Sequence, residues 1–130
     1  MTYSTKLPDW LQDAMEALGR GDIDGWMQIY APDAVHEFPF APEGMPTRVE
    51  GKAAIAAYMG KLPGLIRFGE MRDIRVRTAG DEVIGEATGH HWRLPDETPV
   101  EIGYVWFITV TDGKVTHFRD YMNLTQMVQG

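Results

Sequence analysis

Cysteine is absent from the 130 residues, which excludes disulfides, thiolate metal sites and cysteine nucleophiles. Cationic side chains are scarce: 12 Lys and Arg stand against 19 Asp and Glu, for a formal net charge of -7. They form no cluster, and a nucleic-acid binder would need a basic face. No apolar run approaches the roughly 20 residues of a membrane span. The stretch Met1 to Trp10 has no charged leader followed by an apolar segment. No signal peptide is therefore expected, and the cytoplasm is the expected compartment. Repeats, low-complexity segments and linkers are also missing. Against these absences, 44% of the residues are hydrophobic. That length and content suit a single domain, residues 1–130, around one core.

The pattern starts with helices. Leu7-Pro8-Asp9 opens the first, with Asp9 as its cap. Leu11, Ala14, Met15 and Leu18 recur at helical spacing, and Gly19 or Gly21 ends it. Asp22 caps a second helix with Ile23, Trp26, Met27 and Tyr30 on one face. Those aromatics read as core packing. Pro32-Asp33 stops this helix. Ala34 to Phe40 reads as a short strand with His36, Phe38 and Phe40 on one side, followed by a Pro- and Gly-rich loop, Ala41 to Gly51. Lys52 to Lys61 is a third helix, with Ile55, Tyr58 and Met59 inward, broken by Leu62-Pro63-Gly64. Phe68 to Arg77 reads as a strand whose Arg72, Arg75 and Arg77 face solvent. Asp81 to Trp92 is another. One side carries Val83, Gly85, Ala87, Gly89 and His91, and its small residues would let helices pack closely. That places His91 inward and His90 outward. The order predicts an α+β fold with helices on one face of a curved sheet.

The most telling stretch is Val100 to Asn123. Two β-rich runs flank Asp112-Gly113, a strong hairpin signal, and predict strands Glu101 to Thr111 and Lys114 to Asn123. Asp120 shares a pleat face with Phe118 and Met122. A carboxylate on an apolar face must be paired, hydrogen-bonded or protonated. On the hairpin alone, the opposite reading is equally open: this face is the solvent side and Asp120 meets water.

Four stretches together carry a resemblance. They are Ala17-Leu18-Gly19-Arg20-Gly21-Asp22 through Trp26, Tyr30-Ala31-Pro32-Asp33-Ala34-Val35, Val49-Glu50-Gly51-Lys52-Ala53-Ala54-Ile55, and Asp112-Gly113-Lys114-Val115 with Arg119-Asp120-Tyr121-Met122-Asn123. In this order they resemble the nuclear-transport-factor-2-like superfamily, which includes ketosteroid isomerases and SnoaL-like polyketide cyclases. The ending is also similar to phenazine-biosynthesis A/B-type proteins. The resemblance implies a cone: a bent antiparallel sheet wrapped around three helices, a cystatin-like α+β barrel with a pocket at one end. It implies a homodimer through the outer sheet face, near Arg75, Arg77 and Tyr121. It also favours a three-residue turn, Thr111-Asp112-Gly113, which would set Tyr104 opposite Asp120 and Trp106 opposite Phe118. A strict two-residue turn would instead oppose Val105 to Asp120.

Fold alone does not fix activity. The tyrosine and aspartate of the steroid isomerases fall on Ala14 and Phe38, so that chemistry is not implied. The epoxide-hydrolase arrangement lacks its Arg-x-Asp between Gly85 and Trp92. The cyclase and phenazine-type branches place an acidic residue where Asp120 stands. The resemblance thus implies Asp120 as a general acid or base; His36 and His91 are candidate proton-sharing partners, and for each a purely structural, hydrogen-bonded histidine is equally open. Phe38, Phe40, Tyr58, Tyr104, Trp106, Phe118 and Met122 would bind the substrate. The expected function is cofactor-independent cyclisation, isomerisation or condensation of a small apolar or aromatic molecule. The alternatives are a non-catalytic binding or assembly module and an epoxide-hydrolase-like hydrolase. No metal site is expected, because neighbouring His90 and His91 point to opposite faces of a strand. Neither nucleic acid nor membrane is expected as a partner.

Overall fold

The computed structural model describes residues 2–125. Helix α1 spans Asp9–Gly19 and buries Leu11, Ala14, Ala17 and Leu18. Its N-cap is Pro8 rather than Asp9, and no side chain caps it. The extended Pro8 carbonyl accepts from Leu11 and Gln12 N–H at 3.0 and 2.9 Å. Asp9 instead lies in the first turn, where the helix dipole favours a negative charge. Helix α2, Ile23–Met27, starts as expected at Asp22, whose carboxylate accepts from Gly25 N–H at 3.0 Å.

Strand β1 runs Tyr30–Glu37, so Tyr30 belongs to a strand and not to the second helix. Pro32 cannot continue a helix but fits extended backbone where the ladder is broken. The β1 register shifts between Tyr30 and Val35. The strand also stops before Phe40, because a turn with Ala41 N–H donating to Phe38 O redirects the chain. Inside the expected loop lies a short strand β2, Arg48–Glu50, paired antiparallel with β1. Helix α3 follows at Lys52–Met59, then a 3₁₀ turn at Leu62–Gly64.

The expected strand at Phe68 to Arg77 starts only at Met71, as β4 (Met71–Ala79), and a separate short strand β3 (Ile66–Arg67) precedes it. Both pair with β5, Glu82–Arg93, and Phe68 to Glu70 leave the ladder between them. Strand β6 is Thr98–Thr111 and β7 is Lys114–Met122. The sheet order is β2-β1-β7-β6-β5-β3, with β4 also on β5. Neighbours are antiparallel except β1 and β7, which are parallel, so the sheet is mixed rather than purely antiparallel. It curls around the three helices as a half-barrel. One apolar cluster joins them, with Leu11, Trp26, Ile55 and Met59 meeting Ile102, Trp106, Ile108 and Phe118.

Two sequence features of the sheet act differently from expectation. The inward glycines of β5 do not serve helix packing; they make room for side chains of β5 itself and of the neighbouring β6. A Cβ on Gly85 would stand 2.9 Å from the Trp106 ring, and one on Gly89 only 2.1 Å from His91 Nε2. The β6–β7 turn has two residues, Asp112 and Gly113, at φ 52 and 78, the left-handed pair that a type I′ hairpin needs. The ladder starts with Thr111 opposite Lys114, and then one extra residue enters β7 between Val115 and His117. Beyond this bulge Trp106 faces Asp120, Tyr104 faces Met122 and Ile108 faces Phe118. The three-residue turn and its pairings are therefore corrected. The bulge offsets the register by one residue, which keeps Asp120 on the same face as Trp106 and Tyr104.

Candidate active site

A cavity of about 450 Å³ lies between the inner sheet face and the helices. Phe38, Tyr58, Trp106 and Phe118 give it flat walls. Met15, Met45, Met59, Met71 and Met122 fill the gaps with unbranched, polarizable side chains that adapt to a guest's outline. Few polar groups reach this lining: Asp120, His36, Tyr104, Tyr58 and, toward Leu65 and Leu94, Arg93.

Asp120 is 8% exposed. Its Oδ2 lies 3.4 Å from His36 Nε2. Its Oδ1 is buried and has no hydrogen-bond partner among the described residues, a condition that buried polar atoms rarely tolerate without a reason. His36 is itself buried and sits on β1 directly beside Phe118 of β7. Its ring stacks between Phe38 and Phe118, with centroids at 4.4 and 4.3 Å and planes within 14° and 10°. Phe38 in turn stacks on Tyr58 at 4.7 Å.

On the far side of His36, Nδ1 lies 2.7 Å from the Tyr30 hydroxyl. Burial raises the Tyr30 phenol well above its ordinary value of 10.0, so it keeps its proton and donates to Nδ1. With Tyr30 donating to Nδ1, Nε2 is the ring nitrogen that faces Asp120 and can donate to it. The result is a buried file, Tyr30 to His36 to Asp120, that ends at the cavity.

His91 is inward and buried, and His90 turns outward to within 3.4 Å of Glu101, as the alternation of β5 requires. The contacts of His91 are not with Asp120. Its Nδ1 accepts from Gly69 N–H at 2.9 Å, and its Nε2 lies 3.0 Å from the Tyr104 hydroxyl. Desolvation, with a smaller contribution from His90, lowers its pKa from 6.5 to about 4, so the ring is neutral at pH 7. Tyr104 is raised well above 10.0, by burial first and by the Asp120 charge second. Among the described residues no three His, Asp or Glu side chains are grouped to hold a metal ion.

Phe40 does not line this cavity. It is 70% exposed and meets the edge of Tyr121 at 5.2 Å on the other side of the sheet. The turn at Phe38 to Ala41 ends the alternation that the sequence suggested. There Phe40, Arg75, Val105 and Tyr121 border a shallow groove of about 950 Å³. Tyr58, Tyr104, Trp106, Phe118, Phe38 and Met122 all border the inner cavity.

The SnoaL-like domain family matches residues 11–118, most of the chain. The chain belongs to the SnoaL-like family. It is 32% identical over 125 residues to the uncharacterized protein YesE of Bacillus subtilis, covering 95% of this chain and 85% of that one. It is 30% identical to the uncharacterized PhzA/B-like protein PA3332 of Pseudomonas aeruginosa, with coverages of 87% and 81%. Similar crystal structures include a candidate isomerase from Bacillus subtilis, with TM-score 0.83, 32% identity and coverages of 88% and 84%. A candidate polyketide cyclase from Xanthomonas campestris gives 0.73, 28%, 92% and 91%.

In this SnoaL-like protein the sequence reading gave no site role to Tyr30 or Gly69, nor to the cavity-lining Met15, Met45, Met59, Met71 and Arg93. Tyr30 lies six positions before His36, and Pro32, with the register shift between them, hid that both belong to one strand. Gly69 acts through its backbone alone and leaves no side-chain signal.

Proposed function

We propose that this SnoaL-like protein is a cofactor-independent enzyme that moves a proton on a small, flat, largely apolar molecule, with Asp120 as the acid/base. The supporting observation is the carboxylate itself: buried at the wall of an aromatic and methionine-lined cavity, one oxygen toward His36 and the other unpartnered among the described residues. The chemistry requires only a group that gains and returns a proton, which Asp120 can be. His36, held in one tautomer by Tyr30, steadies Asp120 and replaces solvent as its hydrogen-bond donor. Proton transfer at carbon followed by isomerisation, ring closure or condensation is the reaction class. The protein acts as a homodimer joined through the outer sheet face around Phe40, Val105 and Tyr121.

Ligands come first: an apolar-aromatic library screened by thermal shift, since a compound that binds only the folded chain raises the melting temperature. Asp120→Asn keeps the shape and loses the exchangeable proton. Turnover of a substrate found this way is expected to fall by roughly two to four orders of magnitude, with affinity changing far less because the walls supply most of the binding. Retained turnover in Asp120→Asn would remove Asp120 from the mechanism. Binding without turnover in either form would make the protein a carrier of the same ligand.

A further inference from the structure

Two polar arms reach the cavity, and pairing their donors with their acceptors leaves one ionisable atom over. In the first arm, Tyr30 O–H donates to His36 Nδ1, and His36 Nε2 faces Asp120 Oδ2 at 3.4 Å. In the second, Gly69 N–H donates to His91 Nδ1 at 2.9 Å. The neutral His91 ring therefore holds its proton on Nε2 and gives it to the Tyr104 oxygen at 3.0 Å. Among the described residues two buried side-chain atoms of the lining have no partner, Trp26 Nε1 and Asp120 Oδ1. The first is a neutral donor whose ring stands edge-on to Tyr30. The second belongs to a carboxylate and is the costlier to bury alone.

The surroundings of Oδ1 suit a cation. His36 pairs with Asp120 as an ion only when protonated, and a ring that accepts at Nδ1 from Tyr30 is neutral. His36 thus offers the carboxylate a hydrogen bond without a counter-charge. Trp106 stands opposite Asp120 in the β6–β7 ladder. Tyr104 lies on the same inner face, its ring centroid 5.4 Å from that of Trp106, and both border the cavity. Ring faces of this kind attract a positive nitrogen within about 6 Å. The guanidinium of the lining belongs to the other end: Arg93 pairs with Thr98, where β6 begins, whereas Asp120 pairs with Trp106. The chain as a whole carries a charge of -7, a field that draws cations in and holds anions off.

We propose that the ligand is a flat, apolar amine, bound as its ammonium ion, whose N–H donates to Asp120 Oδ1 while its ring system lies between the aromatic and methionine walls. This deepens the reading of the cavity and rests on it for Asp120 as the polar group that meets the ligand. A charged donor is the partner from which a buried carboxylate oxygen gains most, since such bonds are shorter and roughly twice as strong as neutral ones. The two oxygens divide the contacts, Oδ2 toward His36 and Oδ1 toward the ligand. Arg93 repels the nitrogen from the far end and so sets the ligand's direction in the cavity.

The test uses two ligands of nearly the same shape, 2-naphthylmethylamine and 2-naphthylmethanol, which differ at pH 7 in NH₃⁺ against OH. Each is titrated by isothermal calorimetry. The wild-type protein is expected to bind the amine roughly 10- to 100-fold more tightly, the worth of a hydrogen bond to a charged group. Asp120→Asn should bind both alike, and its binding of the alcohol shows that it has folded. Asp24→Asn, which removes an exposed acid away from the cavity, should keep the preference; its loss there would mean that the overall charge, and not Oδ1, selects the amine. In the wild type the nitrogen-15 signal of His36 Nε2 should move more with the amine than with the alcohol, a readout that does not depend on any variant. Equal wild-type affinities, no saturable amine binding, or a preference that survives in Asp120→Asn would overturn the proposal. The acid–base reading fails separately. A preference lost in Asp120→Asn together with undiminished turnover there would overturn the acid–base role and leave cation recognition standing. Lost turnover without any amine preference would do the reverse.

Discussion

His91 couples its hydrogen bonds to acid sensitivity. The unfolded ring takes a proton from about pH 6.5 downward, whereas the folded ring resists until about 4. Between those values the unfolded chain binds the extra proton, so stability falls as pH drops through that window. The loss expected from this residue is about 1 to 3 kcal/mol, read by urea unfolding at pH 7, 5.5 and 4.5. His91→Gln should show a shallower fall, and equal slopes would refute the assignment. Tyr30→Phe tests the other arm. It strips the donor from His36 Nδ1, leaving a buried acceptor unpaired at a cost of about 1 to 3 kcal/mol. The nitrogen-15 shifts of His36 should then show mixed tautomers where the wild type shows Nε2–H alone. Asp120 was legible in the sequence because a lone acid on an apolar pleat face is conspicuous. His36 was one of the two histidines named beside it, but the choice of His36 over His91 was not legible, since His36 is 84 positions away and only the β1–β7 pairing brings the two together.

Among the elements, the β5 glycines and the β7 bulge decide the geometry of the cavity. Gly89→Ala pushes a methyl group into the His91–Tyr104 pair and should destabilise the fold by roughly 1 to 3 kcal/mol, the usual range for overpacking. Gly103→Ala is the control, because its Cβ meets nothing within 4 Å; it should change stability little. Comparable denaturation midpoints for the two would contradict this account. The existence of the three helices and the alternation of β5 and β6 followed from periodicity, though the second helix ends at Met27, short of Tyr30. The turn and register of the last hairpin did not. Asp112-Gly113 announces a hairpin, but the extra residue in β7 has no composition of its own. Because side chains alternate with period two, a one-residue offset exchanges the two faces of a strand. Here the bulge and the two-residue turn together restore the face that a longer turn would have set.

At the scale of the whole molecule, the sheet's outer side carries a cluster of exposed apolar groups. Phe40 and Val105 are exposed, and Tyr121 is held between Phe40 and Phe107 at centroid distances of 5.2 and 5.9 Å. Clustered exposed apolar groups mark association sites more often than chance. Light scattering at micromolar concentration is expected to give a dimer mass, and Val105→Glu a monomer, since a charge buried in such a contact is costly. A wild-type monomer would sink the dimer proposal. Arg75 and Arg77 lie over Tyr3, at 5.4 and 5.2 Å from its ring, which keeps two cations beside this face of an otherwise acidic protein.

The parallel pairing of β1 with β7 also dictates an order of assembly. The β4–β5–β6–β7 succession closes through short connections, each joining strands adjacent in the chain. The His36–Asp120 contact must close a separation of 84 residues. Distant contacts of this kind carry the larger closure entropy and form late. The Tyr30–His36–Asp120 file is thus expected to be completed late in folding. A chain with a finished meander and an undocked first strand would contain every residue of the site and still have no acid–base couple.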